Sequence, residues 1–245
     1  MPDTLITIFI FIFGIVMGSF LNVLIYRIPN GENIAFPASK CQNCQTELKW
    51  YHNIPIFSWL FLKGKCAFCN DSIAMQYPII EFITGIIAVL LFFKVGLVWY
   101  LPFVFLTFFL LLGLVMIDFK YMAVPDSLNL LALALAIVGP NAIDSLQYAL
   151  MSAGGLALLR YYLSYFLNKE AMGEGDIIVA GTMGALLGFP HFFYALFLSA
   201  LLAIIPSLIA KDRAVPFVPF LAIATFIVYL LDKQFDSIMQ WIMYG

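Results

Sequence analysis

"LITIFIFIFGIVMGSFLNVLIYR", residues 5–27, is an apolar run that is long enough to cross a lipid bilayer as a helix. An acid and no base precede it, and Arg27, the first basic residue of the chain, closes it. Secretory signal peptides have the opposite polarity, because their basic residues come before the apolar run. The stretch therefore predicts a retained transmembrane helix whose N-terminus lies outside the cell.

The rest of the chain continues in the same way. Hydrophobic residues make up 64% of its 245 positions and charged residues only 11%, compared with about 25% charged residues in a typical soluble domain. Apolar segments recur at residues 78–93, 97–117, 127–143, 146–167, 177–190, 192–210 and 217–231. With the first run included, the sequence predicts an all-α polytopic protein with about eight transmembrane helices, surrounded by membrane lipid.

The basic residues are distributed unevenly between the two sides of this predicted bundle. When the crossings alternate from an outside N-terminus, Lys94 and Lys233 lie outside. The residues that lie inside are Arg27, Lys40, Lys49, Lys63, Lys65, Lys120, Lys169, Lys211 and Arg213. This is the positive-inside bias of multi-pass membrane proteins. The net charge of −2 disfavours nucleic acid as a partner.

One polar stretch, between the first two apolar segments, is long enough to form a small domain. We therefore divide the chain into a transmembrane helix (1–26), a cytoplasmic domain (27–77) and a transmembrane bundle (78–245). All four cysteines lie in the cytoplasmic domain, as two CxxC pairs separated by 21 residues.

The cysteine pairs are Cys41 with Cys44 and Cys66 with Cys69. Four thiolates on two tight turns are a ligand set that tetrahedral zinc prefers, and the reducing cytoplasm disfavours disulfides. The spacing predicts a zinc-ribbon-like loop with a structural ion, because four protein ligands leave no open position. Four reduced cysteines in a small core are the alternative interpretation.

Two acids are predicted at one face of the membrane. Asp118 ends the third apolar segment and Asp176 opens the sixth, and the two crossings between them return the chain to the inside. Two carboxylates brought close together do not both ionise easily, so one keeps a proton while the other activates water, as in aspartic proteases. The alternatives are that Asp176 caps its helix and that Asp118 is an interfacial residue paired with Lys120.

Several other residues are also candidates for a role. Gly173 and Gly175 lack a Cβ, so we expect unusual dihedral angles there and close approach of a substrate backbone. Asp126 follows a proline and is predicted to be a helix N-cap. Glu81 either lines a polar cavity or lies at the membrane interface, and Asn22 is a candidate polar contact in the first helix.

Seven motifs of the chain, in this order, resemble those of bacterial type IV prepilin peptidases, the GxGD aspartic proteases. They are "GSFLNVLIYRIP" (18–29), the two CxxC pairs, "NIPIFSWLFLKGKC" (53–66), "YPIIEFITG" (77–85), "IDFKYMAVPD" (117–126), "GEGD" (173–176) and "PFVPFLA" (216–222). The chain departs from the usual family pattern at Ile178, where many members have lysine, and at Val218, where many have glycine.

The resemblance implies an aspartic endopeptidase of the bacterial inner membrane with Asp118 and Asp176 as the catalytic pair. Its substrates would be type IV prepilins or type II secretion pseudopilins, whose leader is cut at the cytoplasmic face. The resemblance further implies that S-adenosylmethionine then donates a methyl group to the new N-terminus. It assigns the cysteine loop to the methyltransferase-bearing region.

Three other functions are compatible with parts of the pattern. The first is a peptidase without methyltransferase activity. The second is a proton- or cation-coupled transporter that uses the two aspartates, and the third is a scaffold whose zinc loop docks cytoplasmic proteins. Both acids are predicted at one face, so they outline no path across the membrane, which disfavours the transporter.

Overall fold

The structure, a computed structural model, describes residues 2–168, 172–210 and 215–244. The regular secondary structure of these residues is almost entirely helical. Lys169, Lys211 and Arg213, which the charge analysis places inside, lie outside the described residues. The helices are α1 (Pro2–Arg27), α2 (Phe57–Phe61), α3 (Gln76–Val95), α4 (Leu101–Tyr121), α5 (Asp126–Ile137), α6 (Ala142–Leu167), α7 (Glu174–Leu187), α8 (His191–Ala210), α9 (Val218–Leu230) and α10 (Asp232–Tyr244). The predicted all-α class is confirmed.

The length of these helices decides how many of them can cross a membrane. Five are long and apolar enough to do so, namely α1, α3, α4, α6 and α8, and the bent pair of α9 and α10 makes a sixth if it is one span. Each of the eight predicted segments contains a helix, but α5, α7 and α9 have only 12, 14 and 13 residues. A straight crossing takes about 20 residues, so the predicted count of eight spans is not confirmed.

Residues 1–97 form one compact unit, in which α1 and α3 pack closely. Glycines make this approach possible, because a Cβ on Gly14 would lie 2.8 Å from the Cα of Gly85, and one on Gly18 would lie 2.6 Å from the Cα of Glu81. Small residues serve this purpose in membrane helices. The division of the chain at residues 26 and 77 stays a prediction. Helix α3, which that division assigns to the bundle, packs within this first unit.

Residues 98–245 form the second compact unit, and α4 is its most buried long helix. Leu111, Leu114 and Ile117 of α4 are almost completely buried. Small residues bring α5, α6 and α7 together through a cluster of Ala136, Ala149 and Ala185. This packing holds the carboxyl end of α4 and the amino end of α7, where the two predicted acids lie, within one unit.

Candidate functional site

The two cysteine pairs lie on two turns with the same backbone pattern. In the first turn, Cys41 N–H donates to the carbonyl of Thr46 at 3.0 Å, and the Cys41 carbonyl accepts from Gln45 N–H at 3.0 Å. In the second, Cys66 N–H donates to the carbonyl of Asp71 at 2.8 Å, and the Cys66 carbonyl accepts from Asn70 N–H at 3.0 Å. Gln45 and Asn70 both have left-handed backbones, with φ of 57° and 58°. Each of the two turns therefore brings its own pair of thiols close together.

The four sulfur atoms are grouped as a metal site requires. All lie within 4.8 Å of one another, and Cys41 Sγ is 3.8 Å from Cys69 Sγ. Tetrahedral zinc with Zn–S bonds of about 2.3 Å places its sulfur ligands about 3.8 Å apart. The donor set therefore fits zinc in number, type and spacing. His52 does not belong to the group, and its ring packs edge-on against Tyr51 and Phe68.

The thiols differ in acidity. Hydrogen bonds from the hydroxyl and the backbone N–H of Thr46 lower the pKa of Cys44 to about 6. The backbone N–H groups of Cys69 and Phe68 lower the pKa of Cys66. The backbone N–H of Asp71 acts to lower the pKa of Cys69, but burial and the neighbouring thiols raise it to about 12. Four thiolates this close together need a cation to balance their charge, which a metal ion supplies.

Asp118 lies in the last turn of α4, and only 5% of its surface is exposed. The helix ends at Tyr121, and the next residue, Met122, has a left-handed backbone and an N–H that donates to the Asp118 carbonyl at 2.9 Å. The backbone N–H of Val218 lies near the Asp118 carboxylate. Because a backbone group lies there, the departure from glycine at Val218 does not remove it.

Asp176 lies in the first turn of α7 and is 8% exposed. Its Oδ2 accepts a hydrogen bond from Gly173 N–H at 3.1 Å, which ties the carboxylate to the start of its own helix. Asp118 is close enough for its charge to act on Asp176. The structure thus brings together two buried carboxylates that are 58 residues apart in the sequence.

The glycines beside Asp176 have ordinary backbone dihedral angles, and close approach of a substrate backbone there stays a prediction. Neither has a positive φ, so the expectation of unusual dihedral angles is wrong. A Cβ on Gly175 would lie 2.6 Å from the Cβ of Val124, and one on Gly173 would lie 3.3 Å from Asp176 Oδ2. Gly175 is therefore required for close packing of the α4–α5 connection against the start of α7.

One residue that holds the start of α7 in place was not predicted from the sequence. Asn129 is completely buried in α5, and its Nδ2 donates to the Gly175 carbonyl at 2.9 Å. The only signal in the sequence was an amide within an apolar segment. Asp126, predicted to be an N-cap, is instead the first helical residue of α5, after the N-cap Pro125. Glu174 is 84% exposed and forms an ion pair with Arg160 at 3.2 Å.

Two family descriptions match successive parts of the chain. Residues 12–95 match the bacterial peptidase A24 N-terminal domain, and residues 103–208 match the type IV leader peptidase family. The prepilin leader peptidase/N-methyltransferase of Dichelobacter nodosus is 31% identical over 95% of this chain and 94% of its own length. The chain belongs to the type IV leader peptidase family. The resemblance in the sequence motifs is thereby confirmed.

Other members of the type IV leader peptidase family match to a similar degree. The prepilin leader peptidase/N-methyltransferase of Pectobacterium carotovorum is 34% identical over 86% of this chain and 88% of its own length. The Myxococcus xanthus protein of the same name is 32% identical over 75% of this chain but only 56% of its own length. No solved structure matches the chain significantly. The two family matches separate near residue 97, where the chain divides into its compact units.

Proposed function

We propose that this chain is an aspartic endopeptidase of the bacterial inner membrane that removes the leader of type IV prepilins or type II secretion pseudopilins. The cut occurs at the cytoplasmic face, and methylation of the new N-terminus follows. One observation carries the peptidase assignment. Asp118 and Asp176, from the facing ends of two helices of one unit, are both buried and interact electrostatically.

The pair can perform peptide hydrolysis by general acid–base catalysis. One aspartate, as the carboxylate, takes a proton from the attacking water, and the other, still protonated, donates a hydrogen bond to the scissile carbonyl. The protonated partner then gives its proton to the leaving nitrogen. Gly173 N–H holds the Asp176 carboxylate at 3.1 Å, so this acid is oriented before the substrate arrives.

The cysteine cluster has a structural part in this proposal. Cys41, Cys44, Cys66 and Cys69 would hold one zinc ion, and four protein ligands leave no position for a substrate. The described part of residues 28–75 contains one short helix, a 3-10 turn and two isolated β-bridges. A segment with so little regular structure depends on the cross-link that the metal supplies.

The methylation step needs a methyl donor. S-adenosylmethionine, when bound, supplies a methyl group on a positively charged sulfur to the neutral amine of the new N-terminus. Chemistry at a free amine does not require an aspartate pair, so we assign methylation to residues other than Asp118 and Asp176. The names of the relatives as N-methyltransferases support this half of the proposal.

A transporter is the less favoured function for the same two acids. Proton and ion carriers place ionisable groups along a route through the membrane. Among the described residues of the second unit, the buried carboxylates are Asp118 and Asp176, which lie together at helix ends. They form one site and not a route.

The test is leader cleavage by purified Asp118→Asn and Asp176→Asn variants. Each change keeps the side-chain size but removes the acid–base group, so cleavage should fall by at least about 10³-fold, since general acid–base groups contribute that order of rate. Asp126→Asn is the matched control, because this acid is exposed at the start of α5 and should retain cleavage within about threefold. More than trace processing by either dyad variant would overturn the assignment.

A further inference from the structure

The first unit contains a cavity of about 590 Å³ that the peptidase chemistry does not use. Its walls come from the carboxyl end of α1, the amino end of α3 and the cysteine-containing segment between them. The volume lies within the range of about 300–1,000 Å³ that is typical of pockets for small molecules and cofactors. The cavity is large enough for a nucleoside-sized ligand.

An unpaired polar atom in the cavity wall points to a ligand. Asn22 is only 4% exposed, and its Nδ2 donates to the carbonyls of Gly18 at 3.3 Å and Tyr77 at 3.2 Å. These bonds fix the amide orientation and leave Asn22 Oδ1 buried without a hydrogen-bond donor. A buried acceptor without a partner destabilises the fold, so its presence requires an explanation. A donor group on a bound molecule provides one.

The same wall carries buried charges of both signs. Glu81 is 6% exposed, and its carboxylate accepts a hydrogen bond from Ile56 N–H at 2.6 Å. Arg27 is 7% exposed and donates to the carbonyls of residues 33, 37 and 38. Within the described part of the chain, no ion pair is formed by either residue. Buried charges are ordinarily paired, which favours a ligand that carries both a cation and a carboxylate.

We infer that this cavity binds S-adenosylmethionine. Glu81 faces the positive charge of the ligand, and Asn22 Oδ1 accepts a hydrogen bond from a donor group of the ligand. Arg27 has guanidinium N–H groups beyond those bound to carbonyls, and these are available to the carboxylate of the ligand. Trp59, held by a bond from its Nε1 to the Ile73 carbonyl at 3.1 Å, offers an aromatic face to the adenine. The inference rests on the proposed methyltransferase function and assigns it a site.

The experiment measures binding of the methyl donor directly, without turnover. Purified, zinc-loaded full-length protein in detergent is titrated with S-adenosylmethionine and with S-adenosylhomocysteine by isothermal calorimetry. The second ligand lacks the methyl group and the charge on sulfur. Glu81→Gln should weaken S-adenosylmethionine binding about tenfold, because it removes the negative charge that faces the positive charge of the ligand, and should affect S-adenosylhomocysteine less.

Two further variants separate a binding defect from misfolding. Glu47→Gln removes the same charge from an exposed position of the same unit outside the cavity, so it should bind both ligands as the unmutated protein does. Asn22→Leu should weaken both ligands, because it removes the buried acceptor. If Asn22→Leu loses its zinc or its thermal transition, Asn22→Ser replaces it in the titration.

The possible results distinguish this inference from the proposed function. Weaker binding in the Glu81 and Asn22 variants with normal zinc content supports the site. If the unmutated protein binds the donor and both variants bind it equally well, the methyltransferase proposal stands and this location is wrong. If the unmutated protein cleaves a prepilin but binds no S-adenosylmethionine, the peptidase proposal stands and both the methyltransferase half and this site are overturned.

Discussion

The contact between Gly175 and Val124 gives the sharpest test of how the peptidase site is built. In Gly175→Ala, the added Cβ would lie 2.6 Å from Val124 Cβ, 2.9 Å from Cγ1 and 3.0 Å from Cγ2. All three distances are shorter than an ordinary carbon–carbon contact of about 3.5 Å. The start of α7 must therefore move away from the α4–α5 connection, and Asp176, the next residue, moves with it.

The size of the movement sets the expected loss of activity. Raising the closest contact from 2.6 Å to about 3.5 Å takes a shift of roughly 0.9 Å. A misplacement of about 1 Å at a catalytic group costs on the order of 10²-fold in rate, or about 2.7 kcal/mol of transition-state stabilisation. We expect kcat for leader cleavage to fall by about that factor in Gly175→Ala.

The assay is single-turnover cleavage of a prepilin by purified enzyme, with zinc content and the thermal midpoint as checks on folding. Gly173→Ala is the matched control, because its Cβ would meet only Asp176 Oδ2, at 3.3 Å, and should cost less than about tenfold. Val124→Gly removes the whole clashing side chain, so the double variant with Gly175→Ala should be more active than the two single losses combined predict. Activity of folded Gly175→Ala within threefold of the unmutated enzyme would refute the reasoning, as would a double variant without recovery.

Three further predictions concern the metal, the separation of activities and the helix packing. Purified protein should carry about one zinc ion, and the paired changes Cys41→Ser and Cys44→Ser should remove it. The same pair of changes should damage methylation at least as much as cleavage. Elemental analysis that finds no zinc in protein prepared without chelators would contradict this prediction. Asp176→Asn should still transfer a radiolabelled methyl group from S-adenosylmethionine to a precleaved pilin, and loss of that transfer in folded protein would indicate one shared site. Gly184→Ala should lower the free energy of unfolding by roughly 1–3 kcal/mol, because its Cβ would lie 2.6 Å from the Tyr148 carbonyl oxygen of α6, and an unchanged thermal midpoint would show that α6 and α7 can separate without cost.

The sequence by itself determined the features that depend on local composition and on counting. An apolar run of membrane-spanning length needs no partner to be recognised, so α1, α3, α4, α6 and α8 were all predicted as helices. The CxxC pairs form their turns from adjacent residues, and the clustering of all four thiols follows from pairing two such turns. Asp118 and Asp176 were placed together because two intervening crossings return a chain to the same side.

Only the tertiary structure decided which residues surround these features. The burial of Glu81 in a cavity, the proximity of Val218 N–H to Asp118 and the bond from Asn129 to Gly175 all depend on residues far apart in the sequence. No periodicity or spacing encodes such pairs, because they depend on how the helices pack. The role of Gly175 shows the same limit: its sequence motif suggested freedom of the backbone dihedral angles, whereas the space taken by Val124, 51 residues earlier, is what excludes a side chain there.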